Sequence, residues 1–146
     1  MKVRQILEQK GNIVHTVQPT DTVKSAINKM NSNNVGGVVV VDDSNNPVGV
    51  LTERDILKRI ASEVCDLSSA KVSDLMSRKI IVALPDDEIQ YLMGVMTEKR
   101  IRHMPVMEDN KLVGIITIGD VVKAHLEKTR YEIHYLKEYI SGNYPG

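Results

Sequence analysis

The chain has 146 residues, 42% hydrophobic and 26% charged, and its formal net charge at pH 7 is zero. The length predicts one compact domain or two small ones, and the balanced charge argues against bulk nucleic-acid binding. No apolar run approaches the ~18 residues of a membrane span, and the N-terminal residues contain no signal-peptide core. Because Cys65 is the single cysteine, no internal disulfide can form, and we expect a cytoplasmic protein.

The first half of the chain predicts a short helix followed by a β-α-β-β-α unit. Residues 3–9 form the leading helix, which ends at Gly11, residues 13–17 form a strand, and residues 19–21 form a turn that starts the next helix. That helix has an apolar stripe with i, i+3, i+4, i+7 spacing, made of Val23, Ala26, Ile27 and Met30. Residues 38–41 are all valine and predict a buried strand. A polar turn, a strand over 47–51 and a helix from Arg54 follow.

The second half predicts the same unit after a link over residues 65–80, which contains a helical turn at 72–76. Its first helix repeats the apolar stripe with Ile89, Leu92, Met93 and Met96. Strands follow at 104–107 and 112–116, Pro105 indicates an edge or a bulge, and the last helix starts at Asp120. The predicted fold class is therefore mixed, α/β or α+β, with apolar strands covered by amphipathic helices.

An internal repeat underlies this duplication. Four residues of the strand-to-helix junction recur 65 positions later, so that Gly49, Thr52, Asp55 and Lys58 correspond to Gly114, Thr117, Asp120 and Lys123. Upstream the shift is 66, as between Pro19 and Pro85, because the second polar turn is one residue shorter. The units run over about 16–64 and 81–127. Since a solenoid needs ~3 repeats to bury a continuous core, we expect the two units to close on each other across a pseudo-two-fold axis.

The last helix continues beyond the repeat. Its apolar positions alternate four and three residues apart and form a heptad-like seam of Val122, Leu126, Thr129, Ile133, Leu136 and Ile140. Two interpretations of the seam stay open: a helix docked on its own domain, or a contact between two copies of the chain. Pro145 prevents the helix from continuing through the tail.

The repeated Thr-x-x-Asp motif, Thr52 to Asp55 and Thr117 to Asp120, carries the strongest chemical signal. One interpretation is a helix capping box, in which the acid folds back on the capping threonine. The acid is Asp both times, however, although a capping box prefers Glu or Gln. A helix N-terminus attracts phosphate, and an ionised carboxylate one turn into the helix can accept hydrogen bonds from two ribose hydroxyls. Together these features would suit a nucleotide.

A second pair of segments precedes the buried strands. Val35-Gly36-Gly37-Val38 contains two glycines, which permit either close approach to a flat ligand or simply a turn. The corresponding segment, Ile101-Arg102-His103-Met104-Pro105, is basic instead. Its cations are either solvated surface groups or, if a phosphate-bearing cleft lies nearby, neighbours of the phosphate. In the second case the two halves would hold unequal sites.

The sequence contains no residue pattern typical of an enzyme. The four histidines lack metal-ligand spacing with acids or with Cys65; they are His15, His103, His125 and His134. No nucleophile-elbow or phosphate-loop motif occurs. Cys65 has no activating partner in the sequence, so we expect an inert thiol.

These segments together resemble a tandem pair of CBS (cystathionine beta-synthase) domains, a Bateman module. The resemblance rests on residues 49–55 and 114–120, with support from 101–106 and 72–76. It implies two β-α-β-β-α repeats, 10–66 and 67–128, packed with pseudo-two-fold symmetry, plus a C-terminal helix extension and tail over 129–146. It also implies an adenine-nucleotide sensor that needs no cofactor or metal and takes AMP, ADP, ATP, NAD(H) or S-adenosylmethionine as its regulatory ligand.

The resemblance further implies residue roles. The two aspartates would bind ribose hydroxyls, the two threonines would lie beside the phosphate, and the backbone before each buried strand would bind the adenine edge. Residues 16–17 and 81–82 would close the clefts. The ligand-binding set is then Thr16, Val17, Val35, Gly36, Gly37, Val38, Thr52, Arg54 and Asp55 in repeat one, and Ile81, Ile101, Arg102, His103, Met104, Pro105, Thr117, Gly119 and Asp120 in repeat two.

Repeat one departs from the family pattern, because Gly36-Gly37 stands where repeat two has Arg102-His103. Arg54, whose counterpart is Gly119, gives the first site a cation of its own. We therefore expect a non-catalytic homodimer that senses energy or redox state through an adenine nucleotide and changes its packing for a downstream protein. The alternative is a dimeric scaffold with vestigial nucleotide sites.

Overall fold

A computed structural model describes residues 1–62 and 66–140 of the chain. Its helices and strands, in chain order, are α1 (Val3–Lys10), β1 (Thr16–Val17), α2 (Val23–Asn33), β2 (Gly37–Val41), β3 (Pro47–Thr52), α3 (Glu53–Ser62), α4 (Val72–Leu75), α5 (Ile89–Lys99), β4 (His103–Glu108), β5 (Lys111–Thr117) and α6 (Ile118–Ile140). Strands β1, β2 and β3 form one sheet, with β1 parallel and β3 antiparallel to β2. Strands β4 and β5 form an antiparallel hairpin. The predicted α+β class is confirmed.

The duplicated elements match in their bounds, which confirms the repeat. Helices α2 and α5 are displaced by the same 66 positions at both ends. Each stops on a left-handed residue, Asn34 with φ 52° and Arg100 with φ 55°, so the same backbone turn ends both helices. Both hairpins also carry a register shift at the equivalent place, after Val40 and after Val106.

The first strand of each unit is short. The strand expected over 13–17 is confined to Thr16 and Val17, which pair with β2. In unit two it is reduced to an isolated parallel bridge between Ala83 and Val106. Ala83 still makes two backbone hydrogen bonds to β4, of 2.8 and 3.0 Å. The segment at Ala83 therefore lies beside β4 as β1 lies beside β2. Pro105 lies inside β4 beside the bulge, which agrees with its missing N–H.

Two apolar cores fill the units, and the leading helices are exchanged between them. The short helix α4, which precedes unit two in the chain, buries Val72 and Leu75 in the core of unit one. Helix α1, which precedes unit one, buries Val3, Ile6 and Leu7 in the core of unit two. The exchange ties the N-terminus to the second half of the chain and the link between the units to the first half.

Two equivalent glycines admit these leading helices. A Cβ on Gly49 would lie 2.8 Å from the Sδ of Met76, and a Cβ on Gly114 would lie 2.7 Å from the Cδ2 of Leu7. A Cβ at such distances would force its neighbour to shift, so glycine at this strand position allows the helix to approach the hairpin.

Helix α6 packs on its own unit through its first turns, where Val121 and Ala124 are buried. Four residues of the seam are exposed instead, by 43 to 55%, while Thr129 is half-buried; the four are Val122, Leu126, Ile133 and Leu136. The interpretation in which the seam docks on its own domain is therefore wrong for these residues. The side chain of Ile140, the tail from residue 141 and Cys65 lie outside the described residues, so the expectations for them stay predictions. Among the helices that are described, none is long and apolar enough to cross a bilayer.

Candidate functional site

The Thr-x-x-Asp motifs lie where β3 enters α3 and where β5 enters α6. In the first copy, the Oδ2 of Asp55 accepts hydrogen bonds from the Thr52 N–H at 2.9 Å and the Thr52 hydroxyl at 3.0 Å, and the Asp55 N–H lies 3.4 Å from the Thr52 Oγ1. In the second copy, the Asp120 Oδ2 accepts from the Thr117 N–H at 2.9 Å, and the Asp120 N–H donates to the Thr117 Oγ1 at 3.2 Å. The capping-box interpretation is confirmed in both copies.

Among the described residues, capping leaves one oxygen of each carboxylate without a protein partner. Across residues 1–62 and 66–140, no donor is bonded to the Oδ1 of Asp55 or Asp120. Both side chains are half-buried. The capping bonds hold each carboxylate in one orientation, and the remaining oxygen can accept hydrogen bonds from a ligand. The capping and ligand-binding interpretations are therefore compatible.

The segments before the buried strands lie beside these junctions. Gly37 pairs with Thr52 across the first hairpin. His103 pairs with Thr117 across the second. The structure thus brings residues 35–38 next to the first motif and residues 101–104 next to the second.

A backbone hydrogen bond from the start of each helix reinforces this arrangement. The N–H of Glu53, the first residue of α3, donates to the carbonyl of Gly36 at 3.0 Å. The N–H of Ile118, the first residue of α6, donates to the carbonyl of Arg102 at 2.9 Å. These bonds satisfy one of the free N–H groups at each helix start and fix the loop against the capping motif.

The two sites approach each other at the pseudo-two-fold axis. His103 and Gly37 are equivalent positions of the repeat, and they are in contact, because a Cβ on Gly37 would lie 3.0 Å from both the Cδ2 and the Nε2 of the imidazole. Equivalent residues can touch each other only near the axis that relates them, so this contact marks the axis. The flat group that lies against Gly37 in the structure is therefore the ring of His103.

Charged residues of both sites influence the pKa of His103. Burial lowers the pKa of its imidazole, and the charge of Arg102 lowers it further. Glu53, from the first site, and Asp120, from the second, act in the opposite direction. The Nδ1 atom is buried and has no hydrogen-bond partner within the described part of the chain. With its pKa below the ordinary 6.5, the ring is neutral at pH 7.

Lys10, which is not among the site residues predicted from the sequence, contacts the second site. Its Nζ donates to the Asp120 Oδ2 at 2.7 Å and to the Ile115 carbonyl at 3.0 Å. Burial raises the pKa of the Asp120 carboxyl, but the hydrogen bonds from Lys10 and Thr117, together with the charge of Lys10, outweigh it and hold that pKa below its usual value. No cation of the described residues forms an ion pair with Asp55.

The sequence contains a signal for Lys10, because the repeat has a third offset, of 69 positions, beside the offsets of 65 and 66. Helices α1 and α4 both begin at the valine of a Lys-Val pair, and the two lysines, Lys2 and Lys71, are 69 positions apart. Each lysine N–H donates to a side chain three residues later, to Gln5 at 2.8 Å and to Asp74 at 3.1 Å. The repeat therefore includes the leading helices.

The remaining predicted residues differ in access. Buried members are Val17, Gly37, Val38, Met104 and Pro105, half-buried members are Thr16, Val35, Gly36, Ile81 and Ile101, and exposed members are Arg54, Arg102 and Gly119. The buried ones can offer a ligand only their backbone. Strand β2 separates Thr16 and Val17 from Thr52, so these residues do not lie side by side. The exposed arginines leave one cation available to each junction.

A cleft of about 780 Å³ lies elsewhere, between Pro47, parts of 80–87 and the second hairpin turn at 107–110. Neither Thr-x-x-Asp motif lines it. Two of its acids, Asp86 and Glu108, already pair with Arg4 at 3.4 and 3.0 Å. The cleft is thus at the turn end of the hairpins, away from the capping motifs.

A duplicated β-α-β-β-α unit with a capping carboxylate at the strand-to-helix junction of each copy defines a two-repeat module. The family model for the CBS domain matches residues 4–62 and 72–127, and the chain belongs to this family as a tandem CBS pair. These findings place it among the CBS-pair regulatory modules.

Three known proteins illustrate the similarity. The chain is 39% identical over 128 residues to the mitochondrial CBS domain-containing protein CBSX3 of Arabidopsis thaliana, covering 85% of this chain and 62% of that protein. It superposes on the CBS-domain protein ATU1752 of Agrobacterium tumefaciens with a TM-score of 0.82 and 36% identity, covering 86% of this chain and 99% of the other. It shares the fold of the CBS pair of protein MJ0100 with a TM-score of 0.77 at 24% identity, covering 88% and 98%. The MJ0100 crystal contains 5′-methylthioadenosine and S-adenosyl-L-methionine.

Proposed function

We propose that the chain is a non-catalytic module that binds an adenine nucleotide, such as AMP, at its Thr-x-x-Asp junctions. The observation that carries this proposal is the pair of aspartates, Asp55 and Asp120, each held by its own helix cap through Oδ2 and each with Oδ1 unpaired among the described residues. A carboxylate fixed in this way is preorganised to accept a hydrogen bond from a ribose hydroxyl.

The other parts of a nucleotide find partners nearby. The N-termini of α3 and α6 and the exposed arginines, Arg54 at the first junction and Arg102 at the second, favour a phosphate. The backbone of 35–38 and 101–104 lies beside the junctions and can bind the adenine edge. MJ0100, which shares the fold, holds two adenosyl ligands, so this fold can accommodate ligands of that class.

Nucleotide binding would be sensed through the axis. His103 contacts Gly37 and is influenced by charges of both junctions, so a ligand at either junction changes the surroundings of a ring that touches both units. We infer that the bound nucleotide shifts the packing of the two units and that a partner protein in the cytoplasm reads the shift as a signal of energy or redox state.

Calorimetric titration with AMP, ADP, ATP and NADH tests the proposal. We expect Asp55→Ala to weaken AMP binding about tenfold to 100-fold, because a hydrogen bond to a charged group contributes ~1.5–3 kcal/mol. Asp55→Asn keeps a capping acceptor for Thr52, so the start of α3 stays intact. The loss of AMP affinity in this variant therefore measures the contribution of the carboxylate charge. Asp43→Ala, in the exposed first hairpin turn, serves as the matched control and should leave affinity unchanged. If every ligand binds wild type and Asp55→Ala equally, or none binds, the proposal is wrong.

A second function, a dimeric scaffold, is favoured by the exposed seam of α6. Val122, Leu126, Ile133 and Leu136 expose 43, 49, 47 and 55% of their surface along one side of the helix, and a row of apolar residues at heptad spacing is typical of a helix–helix contact. A homodimer whose melting temperature no adenosine ligand raises would favour the scaffold over the sensor.

A further inference from the structure

The two junctions differ in one contact that the repeat does not predict. At the second junction the ammonium of Lys10 lies 2.7 Å from the Asp120 Oδ2 and 3.0 Å from the Ile115 carbonyl. The ion pair is partly shielded, with 30% of the Lys10 side chain and 22% of the Asp120 side chain exposed. At the first junction Asp55 has no such partner within the described residues. One carboxylate is therefore neutralised by the chain itself, and the other is not.

The length of the leading helices causes this difference. Helix α1 has eight residues and ends at Lys10, where Gly11 takes a φ of 95° and its N–H caps the Leu7 carbonyl at 2.8 Å. Helix α4 has four residues and ends at Leu75, after which Met76 is extended. Lys79, the counterpart of Lys10 by the offset of 69, therefore lies beyond the helix and is exposed. The same lysine is present in both copies, but a helix carries it to the carboxylate only once.

We propose that Lys10 is a built-in electrostatic competitor for the ribose hydroxyls at Asp120, so that nucleotide fills the Thr52–Asp55 junction first and enters the Thr117–Asp120 junction only against the Lys10 ammonium, which already holds the Asp120 Oδ2. This inference rests on the proposed function. A hydroxyl on Oδ1 gains less from a carboxylate whose charge is already offset by a cation on Oδ2, and a ligand that takes both oxygens must also break the two hydrogen bonds that the ammonium makes without ligand.

Because of this asymmetry, the two junctions would fill at different nucleotide concentrations. The first nucleotide meets a carboxylate that no cation of the described residues pairs with, whereas the second is opposed by the Lys10 contact. For a ligand that needs this contact broken, the apparent affinity is the intrinsic affinity multiplied by the fraction of time that the contact is broken. Because Lys10 ends the helix that packs on unit two, its release would also loosen the attachment of α1. The second binding event would then differ from the first in structure as well as in affinity.

Calorimetry with AMP on full-length variants tests this inference. An Asp55→Ala background confines binding to the second junction, and in that background we expect Lys10→Met to bind AMP about five- to thirtyfold more tightly than Lys10, given a partly exposed pair. Lys79→Met is the matched control and should change nothing. Lys10→Arg keeps the cation and should leave binding weak, and Asp120→Asn added to Lys10→Met should abolish the gain.

The outcomes separate the two proposals. If AMP binds wild type and the Asp55→Ala background, but Lys10→Met leaves the second affinity unchanged or weakens it, Lys10 is not a competitor, and the proposed nucleotide binding stands. A weakened affinity would show that the ammonium assists the ligand instead. If AMP binds neither wild type nor the Asp55→Ala/Lys10→Met protein, both proposals are overturned. Thermal unfolding of each variant confirms that it is folded before titration.

Discussion

Alanine at the two equivalent strand glycines should destabilise the protein unequally. Neither Gly49 nor Gly114 has a positive φ, so an alanine backbone is allowed at both, and any penalty comes from what the new Cβ meets. At Gly49 it would lie 2.8 Å from the Sδ of Met76 and 2.9 Å from the carbonyl oxygen of Ser77. At Gly114 the three nearest heavy atoms all belong to the side chain of Leu7, whose methyl carbons would lie 2.7 Å and 3.0 Å from the new Cβ.

The carbonyl of Ser77 is the reason that the two variants should lose different amounts of unfolding free energy. Ser77 exchanges two backbone hydrogen bonds with Val50, of 2.9 and 3.0 Å, and cannot retreat without lengthening them. Overpacking costs ~1–3 kcal/mol and each weakened bond ~0.5–1.5 kcal/mol, so we expect Gly49→Ala to lower the unfolding free energy by about 2–4 kcal/mol. A shifted Leu7 rotamer costs ~0.5–1.5 kcal/mol, and the stiffer unfolded chain returns ~0.4–1 kcal/mol. Gly114→Ala should therefore cost about 1 kcal/mol or less.

Urea denaturation and thermal melts of the two variants provide the measurement. A difference of 1 kcal/mol corresponds to ~2–4 °C for a protein of this size, so Gly49→Ala should melt several degrees below Gly114→Ala. Met76→Ala combined with Gly49→Ala is the control, because it removes the Sδ contact and leaves the carbonyl contact. Equal melting temperatures for the two glycine variants, or a larger loss for Gly114→Ala, would refute the reasoning from Ser77.

Two further outcomes follow from His103 and from α6. Burial lowers the pKa of His103 below 6.5, so the unfolded chain binds more protons just below that pH, and stability should fall as pH decreases through this window. In urea titrations, His103→Gln should lose less unfolding free energy than wild type when the pH is lowered from 7.5 to 5.5. Equal losses would contradict the lowered pKa of His103. Leu126→Glu places a charge on the exposed seam and should convert a homodimer into monomers in light scattering, whereas Lys128→Glu, off the seam, should not. A dimer that survives Leu126→Glu would mean that the seam is not its interface.

Local patterns were sufficient for most of the elements. The apolar stripe from Val23 to Met30 predicted α2, and the valine run at 38–41 predicted a strand that is buried throughout. The predicted starts of α3 and α6 differ from the observed ones by one or two residues, because Glu53 and Ile118 already bond to the loops before β2 and β4. The strand over 13–17 was predicted too long, since only Thr16 and Val17 of this segment pair with β2.

The capping motifs show why spacing fixes some features of a site. Thr52 and Asp55 are three residues apart at a helix start, and this separation suffices for reciprocal hydrogen bonds. The same holds for Thr117 and Asp120. By contrast, whether the carboxylate is free or paired depends on a residue that no local pattern connects to it.

The sequence alone determined the duplication, the order of elements and the two capping junctions, because periodicity, caps and turns act over a few residues and are visible in the chain. The tertiary structure decided what these junctions meet. It exchanged the leading helices between the cores, set His103 against Gly37 at the axis, left the α6 seam exposed and brought Lys10 to Asp120 across 110 positions. Contacts of that range depend on how separate elements pack, and in this chain the length of one helix makes two nearly identical junctions unequal.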